Sequence, residues 1–220
     1  MSAQGPLRDG EPAGFDLIET LRWEPEAGFV RLHRHLARLG ASAAELDFAF
    51  DHERATAALA ESVHSAQTPM RVRLLLSPEG GASATAQPFA ALPDGTVWRL
   101  KLARATLRSD DPLLRHKTTR REAYVRARGE YPADEANEVL LANERGEVCE
   151  GAITTLFADF GDGILLTPHL DCGLLAGVLR AELLNQGQAR QAILSPADLG
   201  RAKALFVGNS LRGLIAARLA

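Results

Sequence analysis

Short hydrophobic segments on either side of glycine-containing turns fill the second half of the sequence. Residues 139–150 and 155–167 each place two such segments around a turn. Paired hydrophobic segments of this length are typical of β-hairpins. Further strands are predicted at 205–207 and 214–219, so this part of the chain is predicted to fold around a sheet.

The first half of the sequence has helical periodicity between its predicted strands. Apolar residues recur every three or four positions over 31–46, at Leu32, Leu36, Leu39, Ala43 and Leu46. This spacing predicts an amphipathic helix, and residues 51–65 are predicted to form a second one. Strands are predicted at 15–23, 70–76 and 97–103.

Two domains are predicted from the point where this patterning is interrupted. Residues 104–114 have no clear period and contain Ser109-Asp110-Asp111-Pro112, which favours a connecting segment. We therefore predict a mixed α+β fold with a small N-terminal α/β domain at 1–104, a linker at 105–114 and a C-terminal domain at 115–220. With 220 residues, of which 46% are hydrophobic, the chain can bury a sizeable core.

Composition excludes several classes of protein. The formal net charge is −3 and no basic stripe is present, so we expect no nucleic-acid partner. No apolar run reaches the roughly 18 residues that span a bilayer, and residues 1–14 lack the apolar core of a signal peptide. Cys149 and Cys172 form no CxxC pair, so we predict buried thiols in a reducing cytoplasm, no disulfide framework and no metal site.

Lys117 and Glu150 are the first candidate site residues. Lys117 lies in the loop 116–120 (HKTTR) just before a predicted helix, where a lysine is ordinarily a solvated charge. Glu150 ends a predicted strand and is followed by Gly151 and by small or hydroxylated residues. It could equally be a simple strand-end carboxylate, but both residues belong to an ordered series of motifs.

Three further segments offer groups that suit an anion. The turn from Gly173 leads into a predicted helix, and the first N–H groups of a helix can bind phosphate. A tight turn follows a strand at 207–213 (VGNSLRG), and an arginine lies in HLARL at 35–39 on the first helix. A plain loop-to-helix junction, an ordinary turn and a solvated helix charge are the simpler interpretations. The candidate anion ligands are the first N–H groups of the helix predicted from Leu174, together with Asn209, Ser210 and Arg38.

In this order, the motifs resemble the fold-type IV pyridoxal phosphate enzymes, which include branched-chain aminotransferases, D-amino-acid aminotransferases and 4-amino-4-deoxychorismate lyases. The resemblance covers about 15–219. It implies a barrel-like C-terminal domain, a homodimer, a covalent bond between Lys117 and pyridoxal 5′-phosphate, and a contact of Glu150 with the pyridine nitrogen. The phosphate is implied to lie among Arg38, the backbone of Gly177, Val178 and Leu179, Asn209 and Ser210.

The chemistry of such enzymes needs these residue types. A lysine amine bonds covalently to an aldehyde, and the bound cofactor acts as an electron sink for a carbanion on the substrate. A carboxylate beside the ring nitrogen keeps that nitrogen protonated. Once released from the cofactor, the Lys117 amine can move protons as base and acid.

Within that family, the segments 15–22 (FDLIETLR) and 35–39 are most similar to the aminodeoxychorismate lyases. This similarity implies conversion of 4-amino-4-deoxychorismate into 4-aminobenzoate and pyruvate, a step towards folate. Glu19 and Thr20 occupy the strand that lines the substrate side in the family, and Thr20 is a candidate for positioning a proton or a water. Both could equally be structural strand residues.

Two other functions stay open. A transaminase acting on a branched-chain or D-amino acid is the first, although residues 77–83 (SPEGGAS) lack the arginine-bearing loop of D-amino-acid aminotransferases. The loop after Lys117 also lacks the Gly-Gly-Asn-Tyr run typical of branched-chain enzymes. A non-catalytic binding or dimerisation module is the second, and the pairing of Lys117 with Glu150 argues against it.

Overall fold

A computed structural model describes residues 14–220, and the polar segment 1–13 lies outside the described residues. The chain forms two compact units. The first comprises the described residues up to Ala90 together with Lys117–Arg120, and the second comprises Ala91–His116 and Arg121–Ala220. The segment predicted as a linker, 105–114, lies inside the second unit, because the strand Val97–Leu107 pairs within that unit's sheet.

The first unit is a four-stranded antiparallel sheet with two helices packed on it. The strand order is β2-β1-β3-β4. Helix α1 buries the predicted apolar stripe, including Leu36 and Leu39, in a core shared with alternate residues of the sheet. The elements are β1 (Leu17–Glu24), β2 (Gly28–Phe29), α1 (Leu32–Glu45), α2 (His52–Ser62), β3 (Met70–Leu76) and β4 (Ala82–Pro88).

The predicted elements of this unit are present, and the structure adds β4. Strand β4 has the sequence ASATAQP and no large apolar side chain, so no hydrophobic pattern indicates it. It forms because all seven of its residues pair in register with β3, from Ala82 opposite Leu76 to Pro88 opposite Met70. Pairing with a hydrophobic neighbour therefore outweighs weak strand propensity here.

The second unit is built on an eight-stranded mixed sheet. The strand order is β10-β9-β8-β11-β12-β5-β6-β7, and the edge strand β7 also packs against β8 and β9, so the sheet curls into a half-barrel. The α+β fold class is thus confirmed. The elements are β5 (Val97–Leu107), α3 (Glu122–Arg128), β6 (Glu138–Asn143), β7 (Val148–Gly151), β8 (Thr155–Asp159), β9 (Leu165–Pro168), α4 (Val178–Asn185), β10 (Ala189–Ala192), α5 (Pro196–Leu199), β11 (Ala204–Asn209) and β12 (Gly213–Leu219).

Helix α4 begins four residues later than the sequence predicts. The predicted start is Leu174, but Leu174 is fully buried in the core, and Gly177, in an extended conformation, is the residue before the helix. The glycine-containing turn therefore ends at Gly177, and the first helical N–H groups belong to Val178 and Leu179.

The helices are short. Helix α1, with 14 residues, would extend only about 21 Å, against roughly 30 Å of hydrocarbon in a bilayer. Among residues 14–220, no helix is long and apolar enough to cross a membrane.

Candidate active site

Lys117 is anchored to β1 of the first unit. The N–H of Ile18 donates to the carbonyl oxygen of Lys117 at 2.8 Å. Two residues further on, Thr119 N donates to Asp16 O at 2.8 Å, and Thr119 Oγ1 accepts from Asp16 N at 2.9 Å. The Lys117 backbone is therefore fixed beside the strand that carries Glu19 and Thr20, and its side chain is partly exposed.

A buried carboxylate, Glu19, is paired with two basic side chains of α1. Glu19 is 1% exposed, and its carboxylate lies 2.6 Å from Nδ1 of His35. Arg38 donates from Nε to Oε1 at 2.8 Å and from one terminal nitrogen to Oε2 at 2.6 Å. Burial raises the pKa of Glu19, but the neighbouring Arg38 and His35 outweigh it and lower the pKa to about 2.

The side chain of Arg38 reaches inward to Glu19, so Arg38 is not the solvated helix charge that was its simpler interpretation. Its side chain is 13% exposed, and two of its nitrogens bind the Glu19 carboxylate. A bidentate pair of this kind fixes the plane of the guanidinium. The role of Arg38 as a phosphate ligand stays a prediction.

Thr20 lies on the face of the sheet opposite to Glu19. In the register of β1 with β3, Thr20 is paired with Arg73, and Arg22 is paired with Arg71. Directly paired residues share a face, so Thr20 lies among three arginines. Glu24 on the same face pairs with Arg22 at 2.8 Å, which leaves this set of side chains with a net positive charge.

Glu150, in the second unit, is held at the end of β7. It is 5% exposed, and its Oε1 accepts hydrogen bonds from the Tyr124 hydroxyl at 2.7 Å and from Leu175 N at 3.2 Å. Burial and the adjacent Glu150 carboxylate both raise the pKa of Tyr124, so Tyr124 stays protonated and donates. Leu175 belongs to the loop that leads into α4, so Glu150 is tied to that loop.

The N-terminus of α4 has the features of an anion site. Gly177 precedes the helix, and no side chain caps it. A side chain at position 177 would not fit, because a Cβ there would lie 2.8 Å from Oγ1 of Thr155. A Cβ at Gly208 would likewise lie 2.8 Å from Cδ2 of Leu179, so the start of α4 packs tightly against β11.

Asn209 ends β11, and both ends of its amide bind protein groups. Its Nδ2 donates to Ile153 O at 3.1 Å, and its Oδ1 accepts from Arg212 N at 3.0 Å. Ser210 follows it and is 7% exposed. These bonds shape the turn between β11 and β12, and the contact of Asn209 and Ser210 with a phosphate stays a prediction.

In the second unit, one short turn links the candidate residues. The turn 151–154 starts directly after Glu150, its Ile153 contacts Asn209, and Thr155, which follows it, is the neighbour of Gly177. In the first unit, Lys117, Thr20 and Arg38 lie on or against β1.

Sequence reasoning missed three side chains of these clusters. They are Tyr124, His35 and Glu138, a buried carboxylate that binds the turn 151–154. The spacing of His35 and Arg38 puts both on one helix face and could have indicated a shared partner. A charged residue at the start of the hydrophobic strand EVLLAN was the corresponding signal for Glu138.

A family model for amino-transferase class IV matches residues 16–219. The chain belongs to the amino-transferase class IV family. It is an enzyme of this family. The alternative interpretation, a non-catalytic binding or dimerisation module, is therefore set aside.

Relatives within the class IV family have different names. A provisionally named aminodeoxychorismate lyase of Schizosaccharomyces pombe is 27% identical over 202 residues, 90% of this chain and 86% of that protein. A provisionally named branched-chain-amino-acid aminotransferase of Thermotoga maritima is 26% identical over 213 residues, 92% of this chain and 76% of that protein. The crystal structure of a provisionally named amino-acid aminotransferase from Mesorhizobium loti is 60% identical, with a TM-score of 0.92, and covers 94% of this chain and 100% of that one.

Class IV enzymes use pyridoxal 5′-phosphate, and the residues present here fit that cofactor. The buried Glu150 carboxylate suits a protonated ring nitrogen, because a carboxylate can accept a hydrogen bond from it. The start of α4 has no side-chain cap and suits a phosphate. Glycine is needed at position 177, because a Cβ there would clash with Thr155. Lys117 supplies a primary amine on a fixed backbone.

Proposed function

We propose that the chain is a pyridoxal phosphate-dependent lyase that converts 4-amino-4-deoxychorismate into 4-aminobenzoate and pyruvate. We also propose that it acts on this small molecule as a homodimer in the cytoplasm. The resemblance to the family supports the dimer, and two buried cysteines without a disulfide suit a reducing compartment.

The arginines around Thr20 are the observation that carries the lyase proposal. The proposed substrate has two carboxylates, and a face with Arg22, Arg71 and Arg73 against one Glu24 suits a dicarboxylate. A branched-chain amino acid has one carboxylate and an apolar side chain, so this amino donor of a transaminase has less use for three cations, although the acceptor 2-oxoglutarate is itself a dicarboxylate. Thr20 shares this face, which supports its proposed role in positioning a proton or a water on the substrate.

When bound, pyridoxal phosphate supplies an electron sink for a carbanion on the substrate. In our proposal, Lys117 bonds covalently to the cofactor and, when released, moves protons through its Nζ. Glu150 holds the proton on the ring nitrogen. Arg38, the N–H groups of Val178 and Leu179, Asn209 and Ser210 bind the phosphate and orient the cofactor.

Borohydride reduction tests the cofactor assignment. We expect reduction of the wild-type protein in the presence of pyridoxal phosphate to label one peptide, which contains Lys117. The Lys117→Ala variant should take no label, whereas Lys101→Ala, a control at a lysine over the ring of Tyr131, should be labelled as the wild type is. A label on Lys101 or Lys203 instead would contradict the assignment.

Multiple turnover with the chorismate derivative alone tests the reaction. A lyase forms both products from one substrate, so we expect steady release of 4-aminobenzoate with no added amino acceptor. A transaminase needs a 2-oxo acid to complete each cycle. Product limited to one equivalent per site would reject the lyase proposal.

A transaminase is the second candidate, favoured by the 60% identity to the provisionally named aminotransferase of Mesorhizobium loti. Under that proposal, branched-chain or D-amino acids would turn over steadily only when 2-oxoglutarate is present. The same protein preparation serves both assays, so the comparison of the two rates decides between the candidates.

A further inference from the structure

Glu138 is a buried carboxylate with an unusual set of partners. It is 0% exposed and lies at the start of β6. Its Oε1 accepts from Val139 N at 2.9 Å and from Ala152 N at 3.1 Å. Its Oε2 accepts from Ile153 N at 3.1 Å and from Oγ1 of Thr154 at 2.7 Å. Both oxygens therefore bind the turn 151–154.

The surroundings of this carboxylate are closely fitted to it. A Cβ at Gly151 would lie 2.8 Å from the Glu138 carboxyl group, so only glycine fits where the turn begins. Burial raises the pKa of Glu138 above its ordinary value and outweighs the hydrogen bonds from Thr154, Val139 and Ile153, which lower it. Burying a carboxylate is costly unless it is fully hydrogen-bonded. An apolar residue would fill the same space at less cost, but it would leave the N–H groups of the turn without an acceptor.

The turn that Glu138 holds connects the proposed cofactor contacts of the second unit. Glu150 immediately precedes it, and Ile153 O accepts the hydrogen bond from Asn209. Thr155 follows the turn, and its Oγ1 lies so close to position 177 that only glycine fits there. A shift of the turn would therefore move the carboxylate, the β11 turn and the start of α4 together.

We propose that Glu138 is a positioning residue that sets the cofactor contacts of Glu150, Asn209 and the α4 N-terminus through the turn 151–154. The proposal rests on the proposed function, in which Glu150 faces the ring nitrogen. Glu138 itself touches the turn and acts through it.

The variant Glu138→Gln tests the proposal. The amide keeps the size of the side chain, but its NH₂ group would face either the N–H groups of Val139 and Ala152 or that of Ile153. The turn must then reorganise. We expect the dissociation constant of pyridoxal phosphate to rise by roughly 10-fold or more, and the visible absorbance band of the bound cofactor to change its pH dependence. The control Glu135→Gln replaces an exposed glutamate three residues away and should leave both quantities unchanged.

A second pair of variants covers the case in which Glu138→Gln fails to fold. Thr154→Val removes the hydroxyl that binds Glu138 and keeps the volume, whereas Thr154→Ser keeps the hydroxyl. We expect Thr154→Val to weaken cofactor binding in the same direction, and Thr154→Ser to restore it. Equal binding by the valine and serine variants would overturn the proposal.

A double-mutant cycle separates positioning from general destabilisation. Asn209→Ala removes the bond to Ile153, so its effect on cofactor affinity and that of Glu138→Gln should be non-additive. Additive effects, or a cofactor band and affinity equal to those of the wild type, would refute the role of Glu138. Failure of the wild-type protein to bind pyridoxal phosphate would instead refute the proposed function, so the two failures are distinguishable.

Discussion

The hydroxyl of Tyr124 donates a 2.7 Å hydrogen bond to the same oxygen of Glu150 that accepts from Leu175 N. The guanidinium of Arg121 lies 4.8 Å from the centre of the Tyr124 ring, and Arg121 also donates to Ala152 O. Helix α3 and the loop before α4 thus fix the orientation of Glu150 from two sides. A carboxylate that must hold one proton at one atom benefits from such restraint.

Tyr124→Phe is therefore expected to reduce turnover while the protein still folds and binds cofactor. The change removes one hydrogen bond to a charged group and keeps the ring. Such a bond contributes about 1.5 to 3 kcal/mol, which corresponds to roughly 10- to 150-fold in rate if all of it appears in the barrier. Steady-state kinetics and a pH titration of the cofactor absorbance provide the measurement.

The matched control for this change is Tyr131→Phe. Tyr131 donates to Leu102 O at 2.9 Å, so the same hydroxyl is lost at a different place in the same unit. Turnover of Tyr131→Phe should stay near that of the wild type. Equal rates for Tyr124→Phe and the wild type would show that the hydroxyl does not restrain Glu150.

Gly177→Ala is expected to weaken cofactor binding through a contact with Thr155. The new Cβ would lie 2.8 Å from Thr155 Oγ1, closer than a real Cβ approaches another heavy atom, so the start of α4 must move. Adding Thr155→Ala removes that oxygen, and affinity should recover in part. Titration of the apo-protein with pyridoxal phosphate measures both.

A glycine elsewhere provides the control for this pair. Gly200 is exposed and follows α5 with helical backbone angles, and a Cβ there would come no closer than 3.5 Å to Ala197 O. Gly200→Ala should bind cofactor as the wild type does. If the double variant is no better than Gly177→Ala alone, the clash with Thr155 is not the cause of the loss.

Local sequence patterns predicted most of the helices and strands. The contacts between them depend on pairing of residues that are distant in the sequence. The apolar spacing of Leu36 and Leu39 was sufficient to predict α1, whereas Arg38 lies outside that stripe and was left open between a solvated charge and an anion ligand. The partner of Arg38 was not predictable, because Glu19 lies on a strand and meets α1 only once the sheet has formed. Strand β4 was missed for the same reason, since its pairing with β3 is what makes it a strand.

The residues of the candidate site also fall into two groups, those that the sequence singled out and those whose contacts only the structure shows. Lys117, Glu150 and Gly177 were singled out by the order of the motifs and their resemblance to the family, and their roles in binding a cofactor stay predictions. Tyr124 and Glu138 were not singled out, because a tyrosine on a short helix and a glutamate before a strand have many ordinary uses. Tyr124 contacts Glu150 on β7 and Glu138 contacts the turn 151–154, and both contacts join residues that are distant in the sequence.

Arg38→Ala is expected to lower both stability and cofactor affinity. It leaves the buried Glu19 carboxylate without its bidentate partner, and breaking a buried ion pair costs roughly 3 to 5 kcal/mol. Urea unfolding of the apo-protein measures the first effect, and titration with pyridoxal phosphate measures the second. A variant that loses stability but binds cofactor normally would make Arg38 a structural partner of Glu19 and not a phosphate ligand.

The pH dependence of stability gives the last prediction, which concerns Glu19. Its pKa is lowered from 4.5 to about 2 in the folded protein, a depression that corresponds to a free energy on the order of 3 kcal/mol. Because the folded pKa is the lower one, this stabilisation is complete above about pH 4.5 and is lost as the pH falls through about 2. Glu19→Gln lacks the titrating group, so its unfolding free energy should fall less steeply between pH 4.5 and 3 than that of the wild type, by up to about 1.4 kcal/mol per pH unit. Glu61→Gln, at an exposed glutamate of the same unit, should follow the wild-type slope. Parallel curves for Glu19→Gln and the wild type in this range would mean that Arg38 and His35 do not hold Glu19 ionised.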